Sequence, residues 1–184
     1  MNPVIKTRRL VLKPNGVQNL LLAHQYSCDA DYCRYMYRLP NTDIEQTKSF
    51  LTACQNEWQK DNPEYFEFAV YFQDIYVGAV SAYKDENLPN AELGWIFRKE
   101  YTGRGFATEA AEALMDFACK QWQLKSFCAH CDTANIPSQR VMEKLGLKNT
   151  GKQPRLYSDQ RGEAEEFIFI KELESTTSPQ VSGY

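Results

Sequence analysis

Near the middle of this chain a strand, a glycine turn, a long helix and a second strand follow one another without a break. Ala91 to Arg98 (AELGWIFR) reads as a strand, and Thr102-Gly103-Arg104-Gly105-Phe106-Ala107 as the turn. From Ala107 to Trp122, the residues Ala107, Ala110, Ala111, Leu114, Phe117, Ala118 and Trp122 form one apolar stripe at helical spacing. Lys125 to Asp132 then returns as a strand. A strand–helix–strand unit over residues 91–132 favours a parallel pair joined by a right-handed crossover. The rest of the chain has to build a sheet around that pair.

The flanking segments supply it. Lys6 to Lys13 (KTRRLVLK) reads as an opening strand, with Leu10 and Leu12 on one face. A helical stretch follows from about Val17 to Tyr26, broken before Asp31 to Tyr37. Thr42-Asp43-Ile44-Glu45 is a capping-box pattern that opens a helix carrying Ile44, Thr47, Leu51, Cys54 and Trp58. Tyr65 to Gln73 and Ile75 to Tyr83 read as two strands joined by a tight turn near Asp74. Asn135 to Leu145 reads as a short helix with Pro137 in its first turn and Gly146 as its stop. Leu156-Tyr157 and Glu166 to Lys171 suggest a closing hairpin, and Ser175 to Tyr184 a polar tail. The expected domain thus spans residues 1–174, with the tail at 175–184. The expected class is α/β (α+β), a single domain with a mixed sheet of about seven strands and about four helices.

Charge narrows the partners. The formal net charge is −3 over 184 residues, which argues against a general nucleic-acid binder, since that would normally carry a basic face. No window approaches the roughly 20 apolar residues of a membrane span, and Met1 to Thr7 has no run of signal-peptide type. A cytoplasmic protein with no membrane partner is expected. Six cysteines (Cys28, Cys33, Cys54, Cys119, Cys128 and Cys131) are scattered through periodic segments and read as reduced thiols. Cys128-Ala129-His130-Cys131 has the look of a metal half-site. With no second pair, and His24 as the other histidine, no metal is expected.

The glycine turn carries the chemistry. A turn from strand into helix presents unpaired backbone N–H groups at the positive end of the helix dipole. Gly103 and Gly105 let the backbone approach an anion closely. Ala107 and Thr108 extend the surface, so a pyrophosphate cradle is expected. A dinucleotide fingerprint would want a small residue at Thr108, and a P-loop would want Gly-Lys-Ser/Thr. Neither spacing fits.

Three blocks, in order, resemble the GNAT N-acetyltransferase superfamily, and more narrowly its branch acetylating the N-termini of ribosomal proteins. They are Thr7-Arg8-Arg9-Leu10-Val11-Leu12, then Ala91 to Phe97 with Tyr101 to Ala110, then Asn135-Ile136-Pro137-Ser138-Gln139-Arg140-Val141-Met142-Glu143-Lys144-Leu145-Gly146-Leu147. Thr102 stands where the superfamily usually has Gln or Arg. The cradle relies on backbone groups, so coenzyme binding is unaffected.

The resemblance implies acetyl-CoA as cosubstrate and a twisted sheet whose central parallel strands splay, with pantetheine pairing with backbone near Ile96 and Phe97. It implies coenzyme contacts from Arg98, Gly103, Arg104, Gly105, Phe106, Ala107, Thr108, Asn135 and Arg140, with Lys144 a less favoured one. Ser138 falls where a side chain can hydrogen-bond the coenzyme sulfur and help protonate the thiolate. Glu92, on the cleft strand, is the first choice of general base, acting through water, and Glu67 is the reserve. The acceptor is a primary amine, either a protein N-terminus or a small molecule, and the protein a monomer or homodimer. Its pocket is expected from Tyr26 to Leu39, Tyr65 to Tyr71 and Gln153 to Gly162. The alternatives are a non-catalytic acetyl-CoA sensor and, more remotely, a nucleotide-binding interaction domain.

Overall fold

The computed structural model describes residues 3–37, 40–157 and 164–174. The expected tail, Ser175 to Tyr184, lies outside them, as do Leu39 and part of the loop ending at Gly162. The strands are β1 (Ile5–Lys6), β2 (Leu10–Pro14), β3 (Tyr65–Phe72), β4 (Ile75–Lys84), β5 (Asn90–Phe97), β6 (Ser126–Asp132), β7 (Lys148–Arg155) and β8 (Ala164–Glu172). The helices are α1 (Leu20–Ser27), α2 (Ile44–Glu57), α3 (Phe106–Gln121) and α4 (Ile136–Lys144). Among the described residues no helix is long and apolar enough to cross a membrane.

All eight strands form one sheet in the order β1-β2-β3-β4-β5-β6-β8-β7. Every neighbouring pair is antiparallel except β5 and β6, the parallel pair expected from the strand–helix–strand unit. Alternation along β3 sorts its side chains between two layers. Phe66, Phe68 and Val70 face α3 and join its buried Ala110, Ala111, Leu114 and Ala118. Ala69 faces the other way, into a smaller cluster with Ala23 and Tyr26 of α1 and Leu51 of α2. The larger layer is rich in rings: Phe66 stacks on Trp122 at 4.3 Å and meets Phe117 edge-on at 4.9 Å.

Local details differ from the sequence reading. The opening strand is broken, because Thr7 turns the chain back so that its N–H donates to the Leu10 carbonyl and its hydroxyl oxygen accepts from the Leu10 N–H. The α2 cap is Asp43 and not Thr42. Its carboxylate accepts from the Glu45 N–H at 3.0 Å, and Gln46, not Glu45, closes the box. The segment from Asp31 to Tyr37 forms turns and no helix. The first strand of the closing hairpin is not Leu156-Tyr157, which lie outside any strand, but the stretch before them. Lys148–Arg155, polar and exposed except at its last residue, pairs along β8 as an edge strand.

Candidate active site

The parallel pairing of β5 and β6 covers Asn90 with Ser126, Ala91 with Phe127 and Glu92 with Cys128, and ends there. Beyond it β5 continues to Phe97 held by β4 alone, while β6 continues to Asp132 held by β8. The two strands diverge and leave a wedge in mid-sheet. The β5 edge facing it has backbone donors and acceptors available to a ligand.

At the far end of β5 the chain passes through a short 3-10 turn, Lys99–Tyr101, into the glycine turn. Gly103 and Gly105 lie at φ +72° and +77°. A Cβ on Gly105 would be 3.5 Å from Arg9 Nη2, and one on Gly103 would meet nothing within 4 Å. Left-handed backbone, not crowding, is therefore what asks for glycine here. Gly105 is the N-cap of α3 and no side chain caps that helix, so its first-turn N–H groups are open to an anion.

The opening Thr-x-Arg motif secures this turn. Glu109, in the first turn of α3, accepts from Thr7 Oγ1 at 2.6 Å, the Arg9 N–H at 2.8 Å and Arg9 Nε at 2.6 Å. Arg9 Nη1 donates to the Arg104 carbonyl at 2.9 Å, with the guanidinium 4.7 Å above the Phe106 ring. Sequence reasoning passed over Arg9, although its match to the family motif was the available signal. Arg8, Arg9 and Lys144 line a recess of about 400 Å³ against Gly105 and Thr108. Arg104 stacks near Phe72, Tyr101 and Phe106, and Arg140 is exposed on α4. Arg98 is tied to the Tyr76 carbonyl and to Glu100. The Phe97 and Phe106 side chains are core, 8% and 3% exposed, which leaves their backbone for any ligand.

On the other side of the wedge, the Asn135 side chain caps α4 by accepting from the Ser138 N–H at 3.3 Å. Ser138 Oγ accepts from Trp95 Nε1 at 3.2 Å, a contact that crosses from α4 to β5. Both residues line a cleft of about 1230 Å³ that also reaches Glu92, Glu67, Ile96 and His130. Its other walls are Tyr26 of α1, Tyr35 and Tyr37 of the turn segment that follows, Phe50 of α2, and Gln153 and Arg155 of β7. All but Phe50 fall in the segments expected to form the acceptor pocket.

Three carboxylates line the cleft: Glu166 is paired with Arg155, and Glu92 and Glu67 stand in different states. Glu92 is half-exposed and bonds His130 Nδ1 at 3.0 Å. That bond holds the His130 proton on above the usual histidine range, against burial. Glu67 is 6% exposed, and burial pushes its carboxyl up to about 8, against hydrogen bonds from Tyr83, Asn15 and Ser81. Cys128 accepts from Asn90 Nδ2 at 3.2 Å. With His130 turned to Glu92, the Cys-x-His-Cys segment is occupied by other contacts.

The acetyltransferase (GNAT) domain family matches residues 9–148. An uncharacterized N-acetyltransferase, YnaD of Bacillus subtilis (strain 168), is 31% identical over 147 residues, covering 80% of this chain and 84% of its own. A crystal structure of a GNAT-family acetyltransferase from Bacillus anthracis superposes with a TM-score of 0.77 at 25% identity, over 92% of this chain and 98% of that one. RimL, the ribosomal L7/L12 alpha-N-protein acetyltransferase, solved with coenzyme A, shares the fold at a TM-score of 0.77 and 15% identity, over 93% and 98% of the two chains. The wedge and the glycine turn at its end are thus features of an acetyltransferase fold, and the chain belongs to the GNAT acetyltransferase family.

Proposed function

We propose that this enzyme moves the acetyl group of acetyl-CoA to a primary amine by direct attack within a ternary complex. The observation that carries the reading is the continuity of the wedge with the glycine turn. A pyrophosphate on the α3 N-terminus places the pantetheine arm along the open β5 edge at Ile96 and Phe97, leading the thioester toward Ser138. RimL, of the same fold, was solved with coenzyme A, which supports this coenzyme. Arg8 and Lys144 add positive charge for its phosphates, together with Arg104 and Arg140, while Arg9 is committed to Glu109.

The reaction needs a polarised thioester, a neutral amine and a proton for the departing thiolate. A β5 backbone N–H at the wedge serves the first as an oxyanion donor. Ser138 serves the third: the Trp95 indole is a donor only, so the serine oxygen accepts from it and keeps its own hydrogen for the sulfur. Asn135 caps α4 through its oxygen, and its Nδ2 is the group left for the pantetheine arm. With Glu166 paired to Arg155, Glu92 and Glu67 are the cleft carboxylates left to take a proton from the amine.

Acetyl-CoA at about a hundred times its dissociation constant adds ~2.7 kcal/mol to stability, roughly 5–10 °C in Tm for a chain of this size. A thermal shift of that size with acetyl-CoA, absent with ATP, is expected. No shift would sink the reading. Thiol release on a panel of amines and peptides then separates an enzyme from a sensor, which would bind coenzyme and release none. Gly105→Val, forcing a β-branched residue into left-handed backbone at a cost of ~1–2 kcal/mol, should lower acetyl-CoA affinity at least about tenfold with the fold kept, as read by calorimetric titration.

A further inference from the structure

The acceptor's proton has a path built across the sheet. Register places Glu67 of β3 opposite Ser81 of β4, and Ser81 opposite Gly94 of β5. These three positions form one row perpendicular to the strands, on the face that carries the cleft. Glu67 and Ser81 are both nearly inaccessible, at 6% and 8% exposure, yet all three line the cleft wall. A Cβ at Gly94 would stand 2.6 Å from Ser81 Oγ. The serine hydroxyl therefore occupies the space that a side chain at position 94 would fill, between Glu92 and Ile96 on the edge where the thioester is to lie. Behind it lies the Glu67 carboxyl, which register sets directly across from Ser81 and to which the Tyr83 hydroxyl donates at 3.5 Å.

On the basis of the acetyl-transfer reading, we propose that Glu67 takes the proton of the acceptor ammonium, relayed by the Ser81 hydroxyl across the gap at Gly94. The ammonium gives one proton to Ser81 as Ser81 passes its own to the Glu67 carboxylate. The neutral nitrogen then forms its bond to the acetyl carbon, the carbon–sulfur bond breaks, and the remaining N–H proton reaches the thiolate through Ser138. Glu67 afterwards releases its proton to solvent.

The titratable groups facing Glu67 are Tyr83 and Tyr76 of β4, Tyr26 of α1, Cys54 of α2 and Tyr65 of its own strand. Burial raises the pKa of each of the five, so all are neutral at pH 7 and none holds the carboxyl ionised. Glu92, by contrast, already pairs with His130 and is open to solvent.

Two probes at pH 7 test the assignment: an alanyl peptide amide, whose amine is mostly an ammonium ion, and trifluoroethylamine, whose amine is already neutral. General-base loss is worth about a hundredfold, so Glu67→Gln should lower kcat/KM for the peptide by about that factor. For trifluoroethylamine, which needs no deprotonation before attack, it should stay within about threefold. Ser81→Ala should show the same probe dependence at about tenfold, and it stands in should Glu67→Gln fail to fold. Equal losses on both probes would mean a structural role and overturn the relay. So would a wild-type rate in Glu67→Gln with the loss falling on Glu92→Gln. Transfer to neither probe by the wild type, with the acetyl-CoA thermal shift intact, would leave no amine proton for the row to carry and overturns the relay. Absence of that shift is the separate failure of the acetyl-transfer reading itself.

Discussion

Glu67→Gln should stabilise the protein at alkaline pH and leave it nearly unchanged in mild acid. The folded state holds this carboxyl at about 8, from an ordinary value of 4.5, because burial opposes the charge. Between those values the folded chain keeps a proton that the unfolded chain has lost, so stability falls as pH rises. The contribution is fully present below about pH 4.5, declines through the interval and levels off above about 8. A difference of about 3.5 units at 1.36 kcal/mol each is on the order of 5 kcal/mol across the interval. The amide of glutamine is neutral at every pH and removes that dependence. Denaturant unfolding of both proteins at pH 5, 6.5 and 8.5 reads the difference directly, since titrations shared by the two cancel. The gap should open by several kcal/mol in favour of the variant. Parallel profiles would show that the carboxyl ionises in the folded state as it does in the unfolded one, and that burial does not govern it.

That carboxyl also marks where reading from sequence stops. The β5–α3–β6 unit was legible because three local signals agree: an apolar strand, paired glycines and an apolar stripe at 3.6 spacing. The coenzyme end of the cleft follows from those elements, since backbone geometry at Gly103 and Gly105 does most of the work. The acceptor end does not. Glu67 sits in YFEFAVYF, where alternation alone makes position 67 a carboxylate on whichever face α1 and α2 leave open. Its row with Ser81 and Gly94 exists only through two antiparallel registers, and a shift of one residue in either would move it to the other face. Arg9 was missed for a related reason: its partner Glu109 is a hundred residues away. Capping was nearly right, because Thr42 and Asp43 are both able caps and the chain used the second.

Arg155→Leu should be among the most destabilising single substitutions in the molecule, and a second substitution should reverse it. Arg155 ends β7, bonds the Glu166 carboxylate on β8, and donates from Nη2 to the Tyr35 carbonyl at 2.9 Å. The two side chains are 7% and 12% exposed, so the pair is shielded from the screening that weakens surface bridges. Removing the guanidinium leaves Glu166 with Gln153 Nε2 as its partner, at 2.7 Å, and an uncompensated carboxylate of this kind costs ~3–5 kcal/mol. For a chain of this length that is roughly 6–20 °C in Tm. In Arg155→Leu/Glu166→Leu both charges are gone, and most of the loss should return. If the single variant loses less than about 1 kcal/mol by denaturant unfolding, the pair behaves as a solvated one and this account fails. The double variant isolates the second contact. With stability restored but no donor to Tyr35, the segment that carries Tyr35 and Tyr37 along the cleft wall loses its tie to β7. The KM for the amine should then rise with acetyl-CoA affinity unchanged, because that tie lies at the acceptor end of the cleft and the glycine turn at the other.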